Sequence, residues 1–231
     1  MIPKVVIVFF SIFFCFHLVA QQQKTFKVNP GQKVFNAIPP QDRYTYSEFI
    51  PGIVYFKNNN VGGGRMNYDA LVRGIEFIDV NGDTVILDNL ETIRNIIMAS
   101  DTFVVEKITL QQLAIKGNIR LAKSWVIMVS NHQREGAMGQ VTDASVETFT
   151  SLSSSGNALK TMVAKDILTF KEYTTFYFGN KFGHFKLANK KNLMADYGNH
   201  KKEISAYLEE NKVNFLKEQD MRDLLDFLSK L

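Results

Sequence analysis

The stretch from residue 119 to residue 129, which reads Ile-Arg-Leu-Ala-Lys-Ser-Trp-Val-Ile-Met-Val, decides the fold class. Large apolar side chains recur at every second position, with Lys123 as the exception. Successive side chains of a strand point to opposite faces of a sheet, so this alternation predicts a strand that is half-buried. Half-buried strands are typical of antiparallel sheets.

Strand patterns extend on both sides of this stretch, from Gly52 to about Phe185. Towards the N-terminus, two short apolar runs flank Asn81–Gly82. Asn-Gly between apolar runs is the strongest short-range hairpin signal, because a type I′ turn needs positive φ at both central residues. We therefore predict a two-residue turn at Asn81–Gly82.

Towards the C-terminus, four large apolar residues share one parity and are interrupted by Glu172 and Thr174. They are Leu168, Phe170, Phe176 and Phe178. The interruption predicts a bulge or a break in this strand.

Helical spacing replaces the strand pattern after Phe185. Asn189 is suited to cap a short helix, and Gly198 is suited to end it in a left-handed conformation. A second helix carries Ile204, Tyr207 and Leu208, and a third, from about Glu218 to Lys230, carries the stripe Met221, Leu224, Leu225 and Leu228. Strands followed by helices predict an α+β fold: a mainly antiparallel sheet, curved or sandwich-like, with two to three C-terminal helices packed on it.

The first twenty residues have the three-part layout of a cleavable signal peptide. Lys4 is followed by the apolar run Val5–Val19, and Ala20 precedes three glutamines. The run is shorter than the roughly 20 residues of a membrane-spanning helix, so we expect export to the periplasm, the cell surface or the exterior rather than an uncleaved anchor. The only cysteine, Cys15, lies inside this run, so the mature chain has no disulfide and no thiol chemistry.

The mature chain is predicted to consist of a short N-terminal lead-in followed by one folded domain. Residues 21–51 contain four of the five prolines, and we expect an extended lead-in there. Residues 52–231 are predicted to form a single domain, which is β-rich over 52–185 and helical over 186–231.

Three stretches of the mature chain carry a resemblance to other proteins. They are Gly64–Leu87, the run Glu135–Gly139 with the Ser/Thr-rich residues that follow it, and the tail from Asn189 to Leu228. Together they resemble a group of uncharacterised exported proteins of Bacteroidota-type bacteria. The resemblance implies an exported α+β protein and brings no catalytic residue with it.

No motif assigns a catalytic, cofactor-binding or metal-binding residue. His132, His184 and His200 lie far apart in sequence, and each is expected to be a surface or turn histidine. Gly62–Gly64 lacks the lysine and hydroxyl of a phosphate-binding loop, and we expect a glycine-rich turn. The run Ser153–Gly156 is expected to be a flexible loop, since no G-x-S-x-G elbow is present.

Two other patterns have simple structural explanations. Asp79–Asp83 begins like a calcium loop, but Thr84 and Leu90 stand where that loop needs glycine and glutamate, so we interpret it as a hairpin tip. Aromatic and basic residues interleave over 171–182, as strand alternation alone produces. With positive charges scattered and a formal net charge of only +4, no nucleic-acid partner is expected.

These observations favour an exported, non-catalytic protein: a structural or binding module of the periplasm or cell surface. One alternative is a metal-independent hydrolase with two carboxylates in a cleft. Another is a protein that binds an apolar ligand inside its curved sheet. The sequence does not identify a binding partner. A component of the cell envelope is consistent with the export signal.

We predict that the mature protein begins at or near Gln21, because a small residue followed by polar ones marks the cleavage point. The intact mass of the exported protein tests this. A membrane-bound chain that still carries Val5–Val19 would contradict it.

Overall fold

One antiparallel sheet organises the chain in the computed structural model, which describes residues 23–136, 140–144 and 156–231. Its strands are β1 (Thr25–Val28), β2 (Ile50–Phe56), β3 (Val61–Asp69), β4 (Gly74–Ile78), β5 (Thr84–Ile86), β6 (Ile93–Met98), β7 (Asp101–Val105), β8 (Thr109–Lys116), β9 (Ile119–Glu135), β10 (Val141–Asp143), β11 (Ile167–Gly179) and β12 (Phe185–Leu187). Ten of them follow the order β1-β11-β9-β8-β7-β6-β2-β3-β4-β5, while β10 pairs with β9 and β12 pairs with β11.

The helices are short and lie mainly at the C-terminus. They are α1 (Val34–Ala37), α2 (Pro40–Arg43), α3 (Gly156–Thr161), α4 (Lys190–Asp196), α5 (Lys201–Glu210) and α6 (Glu218–Leu228), with 3₁₀ turns at Leu90–Thr92 and Gly198–His200. The predicted α+β class is confirmed. Within the described ranges, no helix is long and apolar enough to cross a membrane.

The two longest strands, β9 and β11, pair with each other along most of their length. The stretch that predicted an antiparallel strand lies inside β9, so that prediction is confirmed. Strand β11 is continuous through Glu172 and Thr174, so the bulge predicted there is wrong. The register shifts instead between Thr169 and Phe170, where Ser130 of β9 is the extra residue and its hydroxyl donates to the Thr169 carbonyl at 3.1 Å.

The polar interruption in β11 marks the boundary between two hydrophobic cores. The first core contains Leu168 and Phe170 of β11, and the second contains Phe176 and Phe178. Residues from β2, β3, β6, β7 and β9 complete the first core, among them Val54, Tyr68, Ile96, Phe103 and Ile127. Glu172 and Thr174 sit between the cores because neither core can accept a polar side chain without a partner.

The segment expected to be an extended lead-in is part of the first core. Strand β1 pairs with β11, with Thr25 opposite Lys171, and Val28, Val34 and Ile38 are fully buried. The prolines fit this arrangement, since Pro39 precedes α2 and Pro40 occupies its first turn, where no amide hydrogen is needed.

The predicted hairpin at Asn81–Gly82 forms, but its loop is longer than two residues. The Asp79 amide donates to the Asp83 carbonyl, so three residues form the tip, and of these only Gly82 has positive φ, at 85°. The Asp79 carboxylate accepts hydrogen bonds from the amides of Asn81 and Asp83 at 2.9 and 2.8 Å. This side chain stabilises a type I turn followed by a left-handed glycine, which replaces the type I′ turn.

The glycine-rich stretch Gly62–Gly64 lies within strand β3 rather than in a turn, so the expectation of a turn is wrong. The chain reverses earlier, where Asn59 has positive φ. Across from Gly64, a Cβ on Gly52 would lie 3.0 Å from both the Met66 sulfur and the Met98 Cγ. Glycine is used here because large side chains of the first core occupy the space beside the backbone.

The C-terminal helices close the second core as predicted. Asn189 caps α4 by accepting from the Asn192 amide at 2.8 Å. Gly198 does not adopt the predicted left-handed conformation; it begins the 3₁₀ turn that leads directly into α5. The four stripe residues of α6 are at most 2% exposed and pack with Ile204 and Leu208. Their sheet partners are Leu121, Phe176 and Phe178, not the predicted Leu168 and Phe170.

We predict that Leu224→Ala lowers the free energy of unfolding by about 2–5 kcal/mol, because it removes a fully buried side chain and leaves a cavity. Urea denaturation measures the change. Leu231→Ala, at the 37% exposed C-terminal residue, is the control and should stay within about 0.5 kcal/mol of the parent. Equal effects of the two variants would show that α6 does not depend on its stripe.

Candidate functional site

Four charged side chains meet inside the protein and form a buried ion network. The Arg43 guanidinium of α2 lies 2.5 Å from the Asp69 carboxylate at the end of β3. The Lys160 ammonium of α3 lies 2.5 Å from the carboxylate of Glu76 in β4. Both carboxylate residues are fully buried, and the Tyr44 hydroxyl donates to Glu76 at 2.6 Å. The network therefore joins two separate helices to one hairpin.

Burial dominates the electrostatics of the ion network. The pKa of Asp69 is raised to about 6, chiefly because burial disfavours its charge, while the Arg43 charge opposes the shift and Glu76 adds to it. Asp69 also accepts from the amides of Leu71 and Val72, so it holds the β3–β4 turn in place. The network residues line none of the three clefts described below. We therefore interpret them as internal ion pairs that hold parts of the fold together.

The largest of these clefts, here called the main cleft, has a volume of about 730 Å³. It lies between the β3–β4 turn and β5 on one side, and the β7–β8 hairpin and the middle of β9 on the other. Its walls mix apolar and polar side chains, and the apolar ones include Val72, Val85, Ile86, Leu90, Ile108 and Val126.

Several polar groups also line the main cleft. Thr109 is 3% exposed, and its hydroxyl has no hydrogen-bond partner among the residues that the structure describes. Lys107, Asp88 and Ser124 also line the cleft. Arg73 lines it from a left-handed backbone conformation with φ of 59°, and burial lowers the pKa of its guanidinium. Left-handed backbone at a large side chain costs about 1–2 kcal/mol, and such strain tends to gather at binding sites.

A second cleft, here called the Trp125 cleft, has a volume of about 590 Å³ and contains two carboxylates. It is lined by Gln23 and Lys24, which precede β1, by α2, and by the part of β9 and β11 that separates the two cores. The Trp125 indole donates to Glu172 at 2.6 Å, and the Lys24 ammonium lies 2.8 Å from Asp42. A third cleft, of about 420 Å³, lies between α4 and the end of β11.

The two carboxylates of the Trp125 cleft bear on the hydrolase alternative. A glycosidase needs one carboxylic acid that keeps its proton near neutral pH. Here the Lys24 charge interacts favourably with both Asp42 and Glu172, and these carboxylates raise the pKa of Lys24. The Asp42 carboxylate is thus engaged by Lys24 and the Glu172 carboxylate by the Trp125 indole, and both still have lone pairs that can accept from a ligand.

The structure separates the three histidines, as their spacing implied. His184 and His200 each lie beside a carboxylate, Glu106 at 3.6 Å and Glu203 at 3.1 Å. His132 differs from the expected surface or turn histidine, because it is only 3% exposed and lies 2.7 Å from Asp166. A buried position inside β9, with a polar partner just before β11, gives no signal in sequence.

The other sequence motifs have the following positions. Asp79 and Asp83 form the hairpin tip, and in the described ranges no group of three or more His, Cys, Asp and Glu residues is placed to hold a metal ion. Residues 151–155 of the Ser/Thr-rich run lie outside the described residues, and Gly156 begins α3.

Sequence reasoning missed the main cleft and the Trp125 cleft. Their lining comes from turns and hairpins that are distant in the chain, so no local motif marks them. The presence of a single tryptophan was the one visible signal. Comparisons of the chain with protein-family profiles, with curated proteins and with solved structures find no match.

We predict that the ion network makes stability depend on pH. The pKa of Asp69 is about 6 in the folded state, above the roughly 4 of an unfolded chain, so the folded state binds more protons between these values. The Asp69 contribution should therefore raise the free energy of unfolding as the pH falls from about 7 to about 4.

Urea midpoints of the parent and of Asp69→Asn, measured across this pH range, test the prediction. The variant should lose the rise with falling pH, whatever its absolute stability. Asp88→Asn, at an exposed aspartate, is the control and should keep the parent's pH profile. Parallel profiles for the parent and Asp69→Asn would contradict the raised pKa.

Proposed function

We propose that this protein is an exported, non-catalytic binding module that takes a small amphiphilic ligand in the main cleft. The observation that carries the proposal is the Thr109 hydroxyl, which is buried at the lining of the cleft and has no hydrogen-bond partner among the described residues. A buried hydroxyl without a partner destabilises the free protein by about 1–3 kcal/mol. A ligand that hydrogen-bonds to this hydroxyl would recover that energy.

The size and chemistry of the main cleft support a small ligand. Pockets for such ligands usually have volumes of roughly 300–1,000 Å³ and largely apolar walls with a few placed polar groups. The volume of the cleft, about 730 Å³, is within this range, and it combines apolar walls with several polar groups. The exposed Lys107 in its lining favours a ligand whose polar end is anionic.

The interior of the sheet is a poorer candidate for the ligand than this cleft. The first core is filled by its own strands and by Val28, Val34 and Ile38 from the N-terminal segment. The apolar-ligand alternative therefore takes the form of a cleft beside the core rather than a cavity within it. The signal-peptide pattern of residues 1–20 supports an exported location, where a component of the cell envelope is a candidate ligand.

We predict that a dansyl-labelled fatty acid binds the protein and that Thr109→Val weakens this binding about fivefold. Valine has nearly the same shape as threonine but cannot hydrogen-bond to the ligand. The same substitution should raise the free energy of unfolding by about 1 kcal/mol, because it removes the unpartnered hydroxyl. Fluorescence titration measures the first effect and urea denaturation the second.

A pair of phenylalanine variants locates the binding. Val126→Phe, in the cleft, should block the labelled fatty acid, while Val80→Phe, at the fully exposed hairpin tip, should not. Equal binding by both variants would place the ligand elsewhere. The absence of any saturable binding by the parent would refute the proposed function.

A further inference from the structure

The Trp125 cleft crosses the sheet at the junction of the two cores. Its floor is formed by neighbours on paired strands, since Trp125 of β9 lies opposite Thr174 of β11 and donates to Glu172. One wall is formed by Lys24 and by Gln41 and Asp42 of α2, while Leu216, from the loop before α6, lies at the other side. The cleft therefore has walls from distant parts of the chain and a floor that the β9–β11 pairing fixes.

The polar lining of this cleft is rich in groups that bind hydroxyls. Two carboxylates, Asp42 and Glu172, and two side-chain amides, Gln23 and Gln41, border the half-buried Trp125 indole. A carboxylate has lone pairs on both oxygens, so the indole bond to one Glu172 oxygen leaves capacity for further donors. Hydrogen bonds to ionised groups are about twice as strong as those between neutral groups.

The charge of the lining selects against anions. Two carboxylates face one ammonium, so an anionic ligand would meet a net negative surface. The main cleft differs, because its lining includes the exposed cation Lys107 and only one carboxylate. The two clefts therefore differ in the class of ligand that they accept.

We propose that the Trp125 cleft is a second binding site, specific for a neutral saccharide. The apolar C–H face of a sugar ring packs on the indole, and its hydroxyls donate to Asp42 and Glu172 and accept from the amides. The volume of about 590 Å³ is within the usual range for small-ligand pockets. This site does not depend on the fatty-acid binding proposed for the main cleft.

The chain contains its own reporter for this site. Trp125 is the only tryptophan in the sequence, so the tryptophan emission of the protein comes from the lining of this cleft. It does not line the main cleft. A sugar that covers the indole excludes water from it, and the emission should shift to shorter wavelength in a saturable way.

The experiment titrates the protein with maltose, cellobiose and N,N′-diacetylchitobiose, with digalacturonate as the anionic probe and trilysine as the cationic one. At least one neutral disaccharide should shift the emission saturably, and digalacturonate should not. Glu172→Gln keeps an acceptor for the indole but loses the charge, and it should weaken the binding about tenfold. Asp42→Asn should weaken it similarly.

Asp88→Asn in the main cleft is the matched control and should bind the sugar like the parent, and thermal melting confirms that each variant is folded. A response to trilysine alone, or a sugar response that Glu172→Gln and Asp42→Asn leave unchanged, would overturn the saccharide site. The absence of a response to any disaccharide would also overturn it, without affecting the fatty-acid test. Cleavage of a bound disaccharide, seen by chromatography, would support the sugar site while refuting the non-catalytic function.

Discussion

The ion network of Arg43, Asp69, Glu76 and Lys160 is the interaction on which the rest of the structure depends. A buried charge that loses its partner destabilises a protein by about 3–5 kcal/mol, so the folded state needs all four groups in place. They come from α2, from the β3–β4 hairpin and from α3, which lies more than a hundred residues after α2. The network therefore fixes the N-terminal helices and α3 on the same part of the sheet.

Other contacts reinforce this arrangement. The guanidinium of Arg43 lies over the Phe35 ring, 3.4 Å from its centre, which gives the buried cation a second favourable contact. The backbone of α1 meets the end of α3, where the Val34 amide donates to the Met162 carbonyl at 3.0 Å. Lys160 also donates to the Thr84 carbonyl of β5, so the same side chain ties α3 to the edge of the sheet. The N-terminal segment can then fill the first core because its position is set at both ends.

The fold could be predicted from sequence where side-chain periodicity is strong, and not where it depends on distant partners. The alternation in β9 and the stripe of α6 are local patterns, and both were interpreted correctly. The proline-rich segment was placed outside the core because its partners, β11 and α3, come at least 118 residues later than Gly31–Ile38 in the chain and leave no local trace. Likewise, Gly62–Gly64 was interpreted as a turn, although these residues lie inside strand β3. The clefts were not predictable for the same reason, since the environment of Thr109 and Trp125 is created by strands and turns that meet only in the folded protein.

The pairing of β1 with β11 sets the order in which the chain can fold. Thr25 pairs with Lys171, and the side chain of Gln23 reaches the carbonyl of Glu172, a separation of 149 residues. Strand β1 therefore has no partner in the sheet until almost three quarters of the chain has been synthesised. Contacts of this range slow folding because a large loop must close before they contribute. The sheet is thus completed only after the C-terminal part of the chain has emerged.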